Sequence, residues 1–215
     1  MRQIIIMYLL LLPGVALFIY NKHRNNRQAA VIIKAFCTGI IVMTGWKAML
    51  GVADEFRIYA MLIVAGLGIG LIADIIINYY LPLGMLFFGL GHLCYTVAIL
   101  CLSAQVKLSI PIFIVLYALV IFLFWKSRIA PGKLLIPGIL YSLIITFMVS
   151  LAATIPLSFP GCGFVLFSGA VLFFLSDAIS SWNSLKRFSK RLDALSLYCY
   201  YIGQSLFAVS IFSLW

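Results

Sequence analysis

The chain has 215 residues, of which 65% are apolar, 15% aromatic and 9% charged. A water-facing domain carries roughly 25% charged residues, so a cytosolic enzyme, a nucleic-acid-binding domain and a disordered segment are all excluded. The formal charge of +10 does not restore a nucleic-acid reading. Its Lys and Arg residues sit in short clusters between apolar runs, the pattern that the positive-inside rule produces.

Eight apolar runs follow one another, at about 3–20, 29–50, 57–78, 82–103, 110–125, 134–153, 161–181 and 194–214. Most are close to the ~20 residues that a helix needs to cross hydrocarbon. Period-2 alternation is absent, which excludes a membrane β-barrel. Helices are then the remaining way to satisfy every backbone group in lipid. The chain reads as an all-α integral membrane protein, a bundle of eight transmembrane helices forming a single polytopic domain over residues 1–215. Only Arg2 precedes the first run, whereas Lys22, Arg24 and Arg27 follow it. A signal peptide has the opposite bias, so this run is read as a retained span. Lys and Arg counts favour the loops after spans 1, 3, 5 and 7 by ten to four. That places those loops in the cytoplasm and both termini on the non-cytoplasmic side. Short loops and compact size point to a multi-pass protein of the cell (inner) membrane.

The informative side chains are the ionisable ones inside the runs: Lys34, Asp74, His92 and Asp177. A charge at a helix centre costs about 2.5–3.5 kcal/mol on insertion scales, so such residues mark a functional site facing the bundle interior. The topology puts Lys34, Asp74 and Asp177 on three helices at one level, roughly 6–8 Å inside the cytoplasmic edge at 1.5 Å per residue. His92 falls deeper, near the middle of span 4. Thr38 shares the Lys34 face, Tyr95 and Thr96 share the His92 face, and Tyr200, Tyr201 and Gln204 form a polar face on span 8. Gly66 and Gly70 lie on the Asp74 face, where small residues let another helix approach.

One echo is visible: Gly66 precedes Asp74, and Gly169 precedes Asp177, each by eight residues. Both segments run in the same direction. Two four-helix halves related by an axis along the membrane normal would explain this.

Cys37, Cys94, Cys101, Cys162 and Cys199 are odd in number and form no CxxC, so they read as apolar filler. A zinc site needs about three protein ligands, and only one His lies within a run, so no metal or other cofactor is expected. GxSxG is absent, and Ser176 beside Asp177 cannot form a triad, because adjacent helical residues do not face each other. Metal-free acid–base chemistry by two carboxylates remains.

The stretches Lys34-Ala-Phe-Cys-Thr38, Gly70-Leu-Ile-Ala-Asp74, Gly89-Leu-Gly-His92-Leu-Cys-Tyr95-Thr96 and Gly169-Ala-Val-Leu-Phe-Phe-Leu-Ser176-Asp177 come in a fixed order. Asn183 and Tyr200-Tyr-Ile-Gly-Gln204 complete the set. In this order and spacing, over about residues 30–210, the chain resembles the YhhN family of eight-span membrane proteins, which includes lysoplasmalogenases. Ala35 stands where that family often has Pro, and Ala73 where it usually has Gly. The resemblance implies hydrolysis of the vinyl ether bond of a lysoplasmalogen, yielding a fatty aldehyde and a glycerophospho-base. Asp74 and Asp177 would be the catalytic pair, with the assignment of acid and base left open. Lys34, Thr38, His92, Tyr95, Asn183, Tyr200 and Gln204 would bind the lysophospholipid substrate and water. The expected partners are that substrate and membrane lipid, with no nucleic acid. The alternative is a non-enzymatic transporter or lipid-binding protein whose buried carboxylates relay protons or a cation.

Overall fold

A computed structural model describes residues 2–24, 26–127, 132–185 and 189–215. The eight long helices are α1 (Arg2–His23), α2 (Arg27–Gly51), α3 (Arg57–Ile76), α4 (Leu81–Cys101), α5 (Val106–Ser127), α6 (Leu135–Ala152), α7 (Pro160–Leu185) and α8 (Lys190–Phe212). All eight are long and apolar enough to cross a membrane, and no strand occurs among the described residues. The chain is a multi-pass membrane protein.

Local chemistry stops and restarts the helices where the apolar runs break. Asn26 caps α2, its side chain accepting from the Ala29 amide. Asn78 Nδ2 donates to the Asp74 carbonyl at 2.6 Å, satisfying one of the open carbonyls at the end of α3. Pro82 then sits in the first turn of α4, where its missing N–H costs nothing. Asn183 and Ser189 bracket the α7–α8 connection: Asn183 Nδ2 donates to the Ser189 carbonyl at 3.1 Å, and its Oδ1 accepts from the Ser189 amide at 2.7 Å.

Six helices close into a ring in the order α2, α3, α4, α6, α7, α8 and back to α2. The other two lie outside it, α1 against α2 and α8, and α5 against α6. At one end of the bundle, Arg2 and Gln3 share a cavity lining with Phe212, Ser213 and Trp215. At the opposite, basic end, Asp193 at the start of α8 pairs with Lys22 at 2.6 Å and with His23 at 3.2 Å at the end of α1.

The ring is internally repeated, as the glycine–aspartate echo suggests. The pairings of α1 with α2, α2 with α3, α3 with α4 and α2 with α8 are reproduced by α5 with α6, α6 with α7, α7 with α8 and α6 with α4, whereas the packing of α1 on α8 has no equal between α5 and α4. Asp74 and Asp177, Thr38 and Tyr141, and Gly66 and Gly169 are each 103 positions apart, and their contacts correspond. Thr38 bonds the carboxylate 36 residues ahead of it, and so does Tyr141. A Cβ on Gly66 would stand 3.0 Å from the Gly91 carbonyl oxygen of α4, and one on Gly169 would stand 3.1 Å from that of Gly203 of α8. These are the close backbone crossings that small residues permit in membrane bundles. Tyr95 and Phe207, each four residues beyond its own glycine, stack on one another with centroids 4.3 Å apart and planes at 10°. Equivalent side chains that meet in this way lie beside a pseudo-twofold axis.

The two carboxylates differ in how much helix follows them. Asp74 lies two residues before the end of α3, whereas Asp177 lies eight before the end of α7, about 12 Å at the helical rise. The apolar run of span 7 ends near residue 181, but the helix continues to Leu185. His92, expected deeper than Asp177, brings its Nε2 to 3.9 Å from Asp177 Oδ2.

Candidate functional site

Every helix of the ring sends at least one polar side chain inward, and these form two groups. The first is built around Asp74, which has no solvent exposure. Lys34 Nζ lies 2.8 Å from Asp74 Oδ1, and Thr38 Oγ1 donates to Asp74 Oδ2 at 2.5 Å. Lys34 therefore turns into the bundle rather than extending along it to the surface, with its ammonium 5.5 Å from the Tyr200 ring centroid. Two charges moved out of water cost several kcal/mol each. The ion pair and the Thr38 hydroxyl are the compensation available here. Tyr200 and Tyr95 both interact electrostatically with Asp74. Gln204 Nε2 donates to the Tyr200 hydroxyl at 2.9 Å. It also lies against Gly70, where a Cβ would come within 3.1 Å of it.

The second group surrounds Asp177. Tyr141 of α6 donates to Asp177 Oδ2 at 2.5 Å, and His92 Nε2 lies 3.0 Å from the Tyr141 oxygen and 3.9 Å from Asp177 Oδ2. Because the Tyr141 proton points at the carboxylate, the His92 proton sits on Nε2 and is donated to Tyr141. The result is a directed chain, His92 to Tyr141 to Asp177. Unlike Asp74, Asp177 keeps 27% of its side chain exposed. Lys34 also lies within electrostatic reach of it.

Aromatic rings fill the space between them. Phe173 packs edge-on against His92 at 4.6 Å and against Tyr200 at 5.2 Å, and Phe88 packs against both Phe173 and Tyr200. Within this lining, His92 Nδ1, the Tyr95 hydroxyl and Gln204 Oε1 are buried without a hydrogen-bond partner. Buried polar groups are normally paired, so these atoms offer one acceptor nitrogen, one hydroxyl and one amide oxygen to a bound polar molecule.

Of the residues singled out from sequence, Lys34, Thr38, Asp74, His92, Tyr95, Asp177, Tyr200 and Gln204 all face the interior of the ring. Asn183 is not brought among them, because its amide is spent on Ser189 at the basic end. Tyr141 and Phe173 were missed. Tyr141 had a signal: it stands at the position equivalent to Thr38 once the 103-residue repeat is applied.

The chemical capacity is specific. One carboxylate is held in an ion pair, and a second, accessible one is fed by a hydroxyl–imidazole chain. Aromatic walls and unpaired polar atoms lie between them. The model of the YhhN family matches residues 29–211, which covers nearly all of α2 through α8. No curated protein and no solved structure matches the chain.

Proposed function

The chain belongs to the YhhN family, and from that premise we propose that it is an intramembrane hydrolase that cleaves the vinyl ether bond of lysoplasmalogen. The observation that carries the reading is the pair of repeat-related carboxyl groups inside one helix ring, set in unequal surroundings. Two carboxyl groups in different environments are how one site supplies both an acid and an electrostatic or basic partner.

Asp177 is the acid. It is the accessible carboxyl group, and Tyr141 fixes one of its oxygens. Its proton goes to the alkenyl carbon one bond away from the carbon that bears oxygen. The double bond becomes a single bond, and the oxygen-bearing carbon becomes an oxocarbenium ion. Water then adds to that carbon, and the proton it sheds returns to the Asp177 carboxylate. The resulting hemiacetal collapses: the carbon–oxygen bond to glycerol breaks, and the hydroxyl proton moves to the glycerol oxygen. One water is consumed, and one aldehyde and one alcohol are released. Asp74, held by Lys34 and Thr38, supplies fixed negative charge opposite the developing cation. Tyr95, Gln204 and the bare His92 Nδ1 orient the water and the glycerol backbone, and Lys34 faces the lipid phosphate.

The test is release of fatty aldehyde from lysoplasmalogen by purified protein in detergent, with no ion gradient. Release at a rate proportional to protein is the expected result. If aldehyde is absent and reconstituted vesicles instead show gradient-dependent proton or cation flux, the hydrolase reading fails and the carboxylates serve transport.

A further inference from the structure

An apolar groove of about 280 Å³ opens between α4, α5 and α6, lined by Leu93, Thr96, Phe113, Leu143, Ile144 and Phe147. None of these residues offers a free polar atom to it. The Thr96 hydroxyl is spent on the His92 carbonyl at 2.8 Å, which leaves its methyl to the groove. The groove exists because α5 packs on α6 rather than on α4. Two of its lining residues, Phe113 and Phe147, meet edge-on. The groove adjoins the site. Leu93 follows His92 directly and Thr96 is one turn beyond it, while Ile144 is one turn beyond Tyr141.

The repeat shows that this opening is not a general feature of the fold. The position equivalent to Leu93 is Ser205, two residues beyond Gly203 as Leu93 is two beyond Gly91. There α1 lies against α8, and the Tyr8 and Ser205 hydroxyls bond at 2.9 Å. One half is thus sealed where the other is open. The open half is the one that carries the exposed Asp177.

We infer that the α4–α5–α6 groove binds the hydrocarbon chain of a single-chain lipid, with the polar end of that lipid at Asp177 and the basic end of the bundle. The groove runs from His92 and Tyr141 away from the basic end. A chain seated in it points toward the bilayer midplane, while its headgroup stays among Lys34 and the basic residues. The inference rests on the hydrolase reading for its choice of lipid.

The experiment uses a lysophosphatidylethanolamine analogue whose chain is joined by a saturated ether and ends in a photoreactive diazirine. Irradiation of the full-length protein in detergent micelles is expected to place adducts on residues 93–96, on 143–147 and on Phe113. Leu93→Trp and Ile144→Trp, each checked for unchanged melting, are expected to cut those adducts about tenfold or more by filling the apolar space. Adducts spread over the outward faces of α1 and α5, unchanged by either tryptophan, would mean annular lipid only and would overturn the inference. The probe cannot be hydrolysed, so the two readings fail separately. Groove adducts without aldehyde release from lysoplasmalogen would keep the groove and remove the hydrolase. Aldehyde release without groove adducts would do the reverse.

Discussion

The two halves of the ring carry the same device in two states. In the half formed by α1–α4, the carboxylate is sealed from solvent, bonded by a threonine and ion-paired with Lys34. In the half formed by α5–α8, the repeat-related carboxylate is bonded by a tyrosine, backed by a histidine and left partly open. The position that corresponds to Lys34 is Pro137, which carries no charge. The outer helix also differs. α1 closes over its neighbours, whereas α5 stands away from α4 and leaves a groove. A duplicated scaffold supplies two equivalent acidic positions cheaply. A few side-chain differences then make one of them a fixed charge and the other a group that can react.

The largest effect should come from breaking the sealed pair. Asp74→Asn leaves Lys34 charged and unpaired inside the bundle, which should cost about 3–5 kcal/mol of stability, read by denaturation in detergent. Adding Lys34→Met to that variant should restore most of the loss. If Asp74→Asn melts like the parent, the ion pair is not what holds that half.

Close backbone crossings should be sensitive in both halves, Gly66 the more so because a Cβ there would run into the Tyr95 ring. Gly66→Ala pushes a methyl into the Tyr95 ring and the Gly91 carbonyl, and Gly169→Ala pushes one into the Gly203 carbonyl and Leu206. Each should lose about 1–3 kcal/mol through overpacking. Gly68→Ala, which meets nothing within 4 Å, serves as the control and should not lose stability. Damage confined to one half would count against the repeat.

The charge asymmetry can be erased directly. Pro137→Lys installs the missing cation one turn before Tyr141. It should lower the rate of aldehyde release about tenfold or more, as expected when an opposite charge holds a carboxylate in its ionised form. An unchanged rate would separate Asp177 from the chemistry or show that the lysine turns away, and the distance from Nζ to Asp177 in a structure of that variant distinguishes the two. The smallest effect belongs to the seal over the closed half. Tyr8→Phe removes one hydroxyl pair and should cost about 0.5–1.5 kcal/mol, with turnover retained.

Much of this architecture is readable from residues alone, because lipid leaves the backbone no other choice. Apolar runs of spanning length become helices, and a charge within such a run has to face inward. That reasoning reaches Lys34, Asp74, His92 and Asp177 without coordinates. It fails where the signal is not charge. Tyr141 and Phe173 are uncharged aromatic residues within apolar runs and look like core. Asn183 looks like a polar contact for substrate, yet it lies where a connection needs its backbone satisfied. The end of α7 was placed short because hydropathy marks where apolar residues stop, and α7 continues to Leu185 as polar helix. The glycine–aspartate echo proved more informative than its length suggests, because it marks the same crossing and the same carboxylate in both halves.

The most direct measurement is aldehyde release from lysoplasmalogen by purified Asp177→Asn beside its parent, in detergent and without a gradient. Asn keeps the shape of the side chain and can still accept from Tyr141, so the variant should fold and melt like the parent. The expected result is release by the parent and a loss of about 10²-fold or more in the variant, the scale of a removed general acid. A folded Asp177→Asn that releases aldehyde at the parent's rate would contradict the assignment of the open half as the reacting one.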